Sequence, residues 1–357
     1  MEKNKTILMA GLGCVVLGSL ILGTSLVLGG TPGFYIDSEG VHSSAENKKH
    51  SHEPYVLKKT KLEAFENVEL YADYSNVNII ESDGYYLEYK IAGSNTKPFY
   101  EVKNDTLTLH ERQQKNQVIF FGSGFNSFGF NDNNSYNDYS INLYLPKDAA
   151  LDSVKIYNDC GDVSVDRLKS QTAKITADYG DIIIQSLTSR NTDLNCENGD
   201  MELNKIQSDT MDLDNSYGSI TGSSLKGKKA EVLLDYGNFR AEHLDFDELQ
   251  VNNEYGDVTI NKGTLENGKF TLESGSMTAA LDGIQALSVK NEYGNVTLQI
   301  PEKLEQYQSS LTTEYGEISL SDSTFANSSD TTEYKTAGKT SKTISVYCES
   351  GDIKILD

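Results

Sequence analysis

Apolar residues return along most of this chain in short alternating runs, each centred on a glycine. Three versions of the unit are "ADYGDIII" (177–184), "NEYGDVTI" (253–260) and "NEYGNVTL" (291–298). The positions five before and two after the glycine are apolar in all eleven copies. Alternate residues of a β-strand face the same side, so this spacing predicts two strand arms that meet at the glycine.

The repeat has a constant period over most of its length. Eight glycines follow one another at intervals of nineteen residues, and two further copies come after longer intervals. A diverged first copy, "ADYSNVNI", has Ser75 in the glycine position. The predicted corner glycines are Gly161, Gly180, Gly199, Gly218, Gly237, Gly256, Gly275, Gly294, Gly316 and Gly351.

A period this short predicts stacked units, each too small to bury its apolar face alone. The inward position three before the glycine and the inward position two after it are separated by an odd number of residues. In a straight strand these two side chains would face opposite sides, so the chain must turn a corner at the glycine. Glycine suits the corner because it tolerates positive φ. We therefore predict an all-β fold, a parallel β-solenoid with rungs of about 19 residues stacked at ~4.8 Å. A β-propeller would need blades of roughly 40–50 residues.

Several segments depart from the repeat and set the predicted domain organisation. The polar stretch 31–54 reads as a linker, and the solenoid is expected over residues 55–357. Two insertions are expected within it, at about 94–140 and at 321–342. The first contains "FFGSGFNSFGFNDNNSYND" and is interpreted as a long flexible loop.

The N-terminal region predicts a membrane anchor. Thr6–Gly30 contains 25 residues without a charge, which as a helix would be roughly 37 Å long and would cross a ~30 Å hydrocarbon core. A cleaved signal peptide, the alternative, normally has an apolar stretch of only about 7–15 residues. Lysines precede the span and acids follow it, so residues 1–5 are expected in the cytoplasm and the solenoid outside the membrane.

The charge of the chain restricts its partners. Beyond Gly30 it carries 29 basic and 52 acidic residues. Such an excess argues against nucleic acid and against direct binding to anionic lipid or wall polymer. Cationic peptides, envelope proteins and divalent cations remain electrostatically compatible partners.

Much of the acidity lies beside the glycine corners. The position two before the glycine is Asp or Glu in all copies but the one with Ser216, and the position after it is often Asp. Stacking would turn these positions into rows of carboxylates. They suit turns, because Asp and Asn bond to nearby backbone, and Ca²⁺ binding is the alternative. The candidate Ca²⁺ ligands are Asp178, Asp181, Glu197, Asp200, Glu254 and Asp257.

Other residue types also recur near the corner. The residue before the glycine position is a tyrosine in seven copies. The alternation of the strand predicts that this tyrosine points inward, and the alternative is an exposed row of aromatic rings on which a ligand stacks. Inward asparagines three before the glycine are expected to satisfy backbone groups. The tyrosines are Tyr74, Tyr179, Tyr217, Tyr236, Tyr255, Tyr293 and Tyr315, with interruptions at Cys160, Asn198 and Ser274; the asparagines are Asn158, Asn215, Asn253 and Asn291.

Cysteine usage gives no sign of a metal site or a disulfide framework. The four cysteines include no CxxC pair. Cys160 and Cys196 are expected two rungs apart, roughly 10 Å, which exceeds the ~7 Å Cα limit for a disulfide. We therefore predict no internal disulfide.

The segment "LYLPKDAALDSVKIYNDCGDVSV" (143–165) and the "EYGDVTI" copies together resemble a bacterial adhesin-type domain family of unknown function. That family has β-strand repeats with G-D-[VI]-x-[IVL] and an upstream L-P-K. The resemblance covers roughly residues 55–357 and fits the membrane-anchored Gram-positive members encoded beside PadR-type regulators or Lia-type envelope-stress genes. It implies a surface location and a repeat architecture, and it transfers no binding residues.

Three functions are consistent with the sequence. The first is a non-enzymatic surface protein for envelope-stress sensing or surface interaction. The second is a carbohydrate-active β-helix enzyme, which would need carboxylates together with Arg or Lys on one face. The four arginines fall on no common row, which disfavours it: Arg112, Arg167, Arg190 and Arg240. The third is an acidic stalk stabilised by Ca²⁺.

Overall fold

The computed structural model describes residues 34–37, 40–43, 53–93, 96–112, 139–326 and 331–357. They belong to two compact units. Within the smaller unit, β1 (Phe34–Asp37) and β2 (Gly40–Ser43) form an antiparallel hairpin in the segment predicted as a linker. No helix in the described ranges is long and apolar enough to cross a membrane. The predicted anchor at 6–30 lies outside those ranges.

The larger unit contains the repeats, and its described residues are all-β apart from a short 3-10 helix at Leu304–Gln306. Its strands are, in chain order, β3 (Tyr55–Lys61), β4 (Asn67–Ala72), β5 (Asn76–Ser82), β6 (Tyr86–Ile91), β7 (Phe99–Lys103), β8 (Thr106–His110), β9 (Ser140–Pro146), β10 (Leu151–Cys160), β11 (Val163–Val165), β12 (Leu168–Tyr179), β13 (Ile182–Asn198), β14 (Met201–Tyr217), β15 (Ile220–Tyr236), β16 (Phe239–Ala241), β17 (Leu244–Tyr255), β18 (Val258–Ser274), β19 (Met277–Tyr293), β20 (Val296–Gln299), β21 (Gln308–Tyr315), β22 (Glu317–Leu320), β23 (Ser323–Ala326), β24 (Thr332–Thr336), β25 (Thr343–Ser350) and β26 (Ile353–Leu356).

Neighbouring rungs pair in parallel with the nineteen-residue offset of the sequence repeat. Ile182 of β13 lies beside Met201 of β14, and Leu194 lies beside Leu213. Like apolar residues therefore stack into continuous interior ladders, and each fully buried Val, Leu or Ile contributes roughly 1.5–3 kcal/mol to stability. The predicted parallel β-solenoid is confirmed for this unit.

The burial pattern shows that each rung has three faces. In β13, Ile182 and Ile184 are buried, then Leu187, then Thr192 and Leu194. The spacing between buried residues is odd at the two bends within the strand and odd again at the glycine. Each odd step reverses the alternation of inward and outward side chains. The chain therefore bends three times in every rung as it passes once around the core.

Glycine is required at the third bend for two reasons. Nine of the ten predicted corner glycines have φ between +136° and +158°, a region that side chains disfavour, and Gly316 is the exception. The corners also stack directly on one another: a Cβ at Gly256 would lie 1.9 Å from the carbonyl oxygen of Gly237. Any larger residue would force two rungs apart.

The last repeats stack in an order that differs from their order in the chain. β25 lies between β19 and β21, and β26 lies between β20 and β22. The Gly351 rung is therefore inserted between the Gly294 and Gly316 rungs. The last copy in the chain is therefore not the last rung of the stack.

The two predicted insertions supply structured ends to the solenoid. The expected flexible loop at 94–140 was wrong for its first part, because β8 adds a parallel rung beside β4 and β7 pairs antiparallel with β8. Its phenylalanine-rich segment lies outside the described residues. In the second insertion, β23 and β24 pair antiparallel with β22 and β21. Antiparallel strands thus cover the open edges of the parallel stack.

Candidate functional site

The glycine corners align into one edge of the solenoid, which we call the corner edge. It consists of the corner glycines with the two residues before and the one residue after each of them. The sequence concentrates acidic residues and tyrosines here, and the stacking converts each position into a row that runs along the solenoid. This is the most regular exposed feature of the described residues.

Behind the corner edge, the inward asparagines hold the glycine carbonyls. Asn215 donates from Nδ2 to the carbonyl oxygen of Gly199 at 3.0 Å, and Asn291 donates to that of Gly275 at 3.0 Å. The Cys196 thiol donates to the carbonyl oxygen of Gly180 at 3.3 Å. The predicted role of the asparagines in satisfying backbone groups is confirmed, and cysteine substitutes for it in one rung.

The cysteines of the described residues are free and poorly suited to nucleophilic chemistry. Cys160, Cys196 and Cys348 are unpaired with one another. Burial raises the pKa of the Cys196 and Cys348 thiols to about 12. A thiol with such a pKa carries almost no thiolate near neutral pH.

The row after the glycine is a hydrogen-bonded ladder. Asp181 accepts at Oδ1 from the backbone N–H of Asp200 at 2.8 Å, and Asp200 accepts from Ser219 at 2.7 Å. Asp257 accepts from Ser276 at 2.8 Å in the same way. Each side chain thus fixes the corner of the next rung, nineteen residues on, so the bonds run between rungs and not within one turn as the turn chemistry considered from the sequence would have them.

The candidate Ca²⁺ ligands lie on these rows without forming a recognisable cation site. The described residues contain no group of three or more His, Cys, Asp or Glu side chains that could hold a metal ion. Asp181, Asp200 and Asp257 each use one oxygen for the ladder. The remaining candidates, Asp178, Glu197 and Glu254, lie in the row two before the glycine.

The tyrosines point out of the solenoid, and the expectation that they point inward was wrong. Tyr179 is 60% exposed, Tyr236 48% and Tyr293 57%. Strand pairing skips the residue two before the glycine and resumes at the tyrosine. The chain therefore begins to turn before the glycine is reached, and alternation no longer decides where the side chain points.

Three of these tyrosines form a continuous exterior stack. The rings of Tyr217 and Tyr236 have centroids 5.3 Å apart and those of Tyr236 and Tyr255 4.9 Å apart, with interplanar angles of 3° and 4°. The row is interrupted where Cys160, Asn198, Ser274 and Ser350 take the tyrosine position. Exposed parallel rings of this kind are available to bind a partner.

The first corner has a different construction that the sequence did not reveal. Glu111, only 1% exposed, accepts at Oε2 from the backbone N–H groups of Asp73, Tyr74 and Ser75 at 2.6, 2.9 and 3.2 Å. Its Oε1 accepts from the Ser75 hydroxyl at 3.0 Å. The signal was present in "TLTLHE", where Leu107 and Leu109 have the strand alternation that precedes other corners.

Arg112 completes the first corner by binding its tyrosine and its acid. The guanidinium lies 4.4 Å from the centroid of the Tyr74 ring and 3.5 Å from the carboxylate of Asp73. Burial, reinforced by Glu111, raises the pKa of Asp73 to about 6, while Arg112 opposes that rise. This is an arginine seated on a corner tyrosine within the chain itself.

Elsewhere on the solenoid the surface offers little that is organised for catalysis. A shallow groove of about 370 Å³ crosses the face that contains Ala230, Leu249 and Leu287, with Lys229, Glu248 and Lys269 at its sides. Two other arginines form separate exposed ion pairs, Arg167 with Glu81 and Arg240 with Glu242. No described arginine lines the groove, whose charged residues are Glu248 with Lys229 and Lys269.

Comparison with known proteins gives a family and several distant structural likenesses, two of which follow. A "putative adhesin (BF0245)" from Bacteroides fragilis NCTC 9343 is 14% identical, over 86% of this chain and 98% of that chain, with a TM-score of 0.33. A "putative cell adhesion protein" from Clostridium sporogenes ATCC 15579 is 12% identical, over 85% of this chain and 99% of that chain, with a TM-score of 0.17. These scores carry no argument about function.

No curated protein matches the chain. The family model described as Toastrack DUF4097 matches residues 65–243 and again residues 193–356, which together span the solenoid repeats described above. The chain belongs to the Toastrack DUF4097 family.

Proposed function

We propose that this chain is a non-enzymatic, membrane-anchored surface protein whose acidic corner edge engages cationic partners outside the membrane. One observation carries the proposal. Exposed tyrosines and carboxylates recur together along a single edge, where rigid parallel strands hold them at fixed spacing. A surface of this kind is built for extended contact with another molecule, and it lacks the enclosed cleft of an enzyme.

The anchor and the setting of the protein are part of this proposal. The uncharged stretch 6–30 supports retention in the membrane, with lysines on its cytoplasmic side. Resemblance to members encoded beside Lia-type genes supports a role in the response to envelope stress. In that setting, cationic membrane-active peptides and envelope proteins are the partners that the charge of the solenoid favours.

Cation capture is tested by the salt dependence of binding. The full-length chain in detergent is titrated with a short lysine-rich peptide at low and at physiological salt. We expect binding that weakens steeply with salt, because a field of exposed carboxylates is screened within roughly 8 Å at 0.15 M. Thermal melts with Ca²⁺ and with Mg²⁺ supply the contrast. A melting temperature that rises with Ca²⁺ but not with Mg²⁺, together with no peptide binding, would identify a calcium-stabilised stalk instead.

The orientation is tested separately on intact cells. A C-terminal epitope tag on the full-length chain is expected to be cleaved by a protease added outside, whereas a tag before Met1 stays protected. Release into the medium of a chain that has lost the N-terminal tag would indicate a cleaved signal. Protection of both tags would contradict the surface location.

A further inference from the structure

The interruptions in the tyrosine row have the geometry of binding slots. Between Tyr217 and Tyr255, which lie two rungs apart, the space is filled by the single planar ring of Tyr236. Ser274 occupies the corresponding position between Tyr255 and Tyr293, because it pairs with both of them in the strand register. Ser350 likewise lies between Tyr293 and Tyr315. A serine side chain is too short to fill the space that a tyrosine ring fills.

We call these two places the Ser274 slot and the Ser350 slot. Each has an exposed tyrosine on both sides, and Tyr293 is shared between them, with exposures of 46% for Tyr255, 57% for Tyr293 and 74% for Tyr315. By analogy with the stacked rings, two tyrosines separated by one empty rung are roughly 10 Å apart. That distance admits one planar group with a ring face on each side.

The charges around the slots select a planar cation. Glu273 and Glu349 immediately precede the two serines and are exposed or half-exposed, and Glu254 borders the first slot. Lys290 bonds to Glu292, and the charges of Glu349 and Glu273 also favour its charged form, so the chain already places one ammonium group near the slots. Glu314 accepts from the hydroxyl of Tyr347. The guanidinium of arginine is the protein group that combines a flat face for stacking with donors for carboxylates.

The first corner contains this interaction within the chain. There Arg112 lies over Tyr74, the tyrosine-row residue of that corner, and beside Asp73, the acid that precedes it. Tyr255 with Glu254, and Tyr293 with Glu292, repeat the same tyrosine and acid arrangement at other corners. Among the described residues, the arginine ion pairs are with Asp73, Glu81 and Glu242 and none is with Glu273 or Glu349, so an arginine in the slots would come from another molecule.

We infer that the Ser274 and Ser350 slots bind arginine side chains of an extended cationic peptide, each guanidinium inserted between two tyrosines and paired with a carboxylate. The two slots are two rungs apart, about 9.6 Å. One turn of a polyproline II segment rises about 9.3 Å over three residues, so arginines at every third position fit both slots. This inference rests on the proposed function, since it names the group by which a cationic partner is held.

The test uses two synthetic peptides with the full-length chain in detergent. One has arginine at every third position, and the other has lysine at the same positions and therefore the same charge. We expect the arginine peptide to bind roughly five- to tenfold more tightly, because an ammonium group cannot fill the slot as a planar group does. Binding is measured by fluorescence anisotropy at two salt concentrations.

The double variant Ser274→Tyr, Ser350→Tyr fills both slots and leaves the net charge unchanged. We expect it to lose the preference for the arginine peptide and to keep the weaker, salt-sensitive binding of the lysine peptide. Ser223→Tyr, which adds a tyrosine at an exposed position away from the corner edge, is the matched control. Tyr236→Ser should retain or strengthen arginine binding, because it opens a third slot between Tyr217 and Tyr255.

The outcomes separate the two proposals. Equal binding of both peptides, unchanged in the double variant, would overturn the slots and leave cation capture standing. Failure of both peptides to bind the wild-type chain would overturn both. Binding of a neutral oligosaccharide that the double variant loses, without a preference for arginine, would assign the slots to carbohydrate. Weaker arginine binding by Tyr236→Ser would indicate a general aromatic patch and contradict the slots.

Discussion

At the first corner of the solenoid Ser75 occupies the place that Gly256 occupies in the middle of the stack. At Gly256 the backbone N–H groups bond to neighbouring rungs: that of Gly256 donates to the carbonyl oxygen of Ser274, and that of Asp257 donates to Asn238. At Ser75 the N–H groups converge instead on the single carboxylate of Glu111. In the middle of the solenoid the neighbouring rungs accept the backbone hydrogen bonds of a corner. At the first corner the Glu111 side chain accepts them instead.

The same two corners differ in what covers their tyrosines. Tyr74 is in contact with Arg112 of the chain, whereas Tyr255 has a neighbouring ring, Tyr236, in its stack. On its other side is the rung of Ser274. The end of the solenoid is thus closed by its own cation, and the middle is left with an aromatic surface that a partner can use. The variants below test this difference, from the largest expected effect to the smallest.

Gly256→Ala should be the most damaging change. The added Cβ would meet the carbonyl oxygen of Gly237 in a backbone region with φ of +141°. Strain and overpacking together predict a loss of roughly 2–5 kcal/mol in the free energy of unfolding. Gly283→Ala is the control, because its Cβ meets only a Thr264 methyl at 3.3 Å. Equal midpoints of denaturant unfolding in the two variants would contradict direct glycine stacking.

Glu111→Ala should open the first corner and leave the central corners intact. It removes the acceptor of three backbone N–H groups and one hydroxyl, so we expect a loss of roughly 2–4 kcal/mol, confined to that end. Hydrogen exchange of amides 73–75 measures it. Glu111→Gln keeps an acceptor oxygen and should have a smaller effect. Faster exchange at Gly256 as well would show that the corners unfold together.

Asp73→Asn should stabilise the first corner at neutral pH. The folded pKa of Asp73, about 6, lies above its ordinary value of 3.8, so the folded state favours the protonated acid. The stability gained from protonation is complete below pH ~4 and lost as the pH rises through ~6. Asparagine resembles the protonated form but gives up the ion pair with Arg112.

We therefore expect Asp73→Asn to raise the melting temperature at pH 7.5, by an amount equivalent to about 1 kcal/mol after allowance for partial exposure, and to change it little at pH 4. Asp159 also has a raised pKa, caused first by burial and then by Asp178 and Glu111, so it titrates in the same direction. The wild-type and variant melts should converge on acidification. A constant difference at both pH values would rule out titration of Asp73 as the cause.

Tyr236→Ala should have the smallest effect on stability. It removes two ring contacts on an exposed edge, and aromatic pairs contribute roughly 0.5–1.5 kcal/mol each at best. Tyr179→Ala is the matched control, because the rungs beside it have Cys160 and Asn198 in the tyrosine position. We expect a loss of about 1 kcal/mol for the first and close to none for the second by denaturant unfolding. Equal losses would mean that the exterior stack contributes nothing to folding.

The site was less predictable than the fold, and the tyrosines show why. Alternation places Val251 and Asn253 inside correctly, because both lie in a regular strand. It fails at Tyr255, since the chain starts to turn before the glycine. Glu111 and Arg112 were missed for a different reason. Their partners are Asp73, Tyr74 and Ser75, residues about 37 positions earlier, and the strand alternation in "TLTLHE" does not indicate which corner that strand will pack against.

By itself, the sequence determined the repeating rung, its nineteen-residue length, the apolar ladders and the glycine corner. These are local properties, because within a regular strand the spacing of a residue from the glycine places it on the inner or the outer face. Only the tertiary structure decided that the Gly351 rung lies between those of Gly294 and Gly316. Any rung with apolar ladders in the right columns can pair with any other, so long connections leave the order open. The Ser350 slot depends on that order, because it decides which rungs become neighbours. The outward tyrosines depend on where the chain bends before each glycine, which the alternation of residues does not encode.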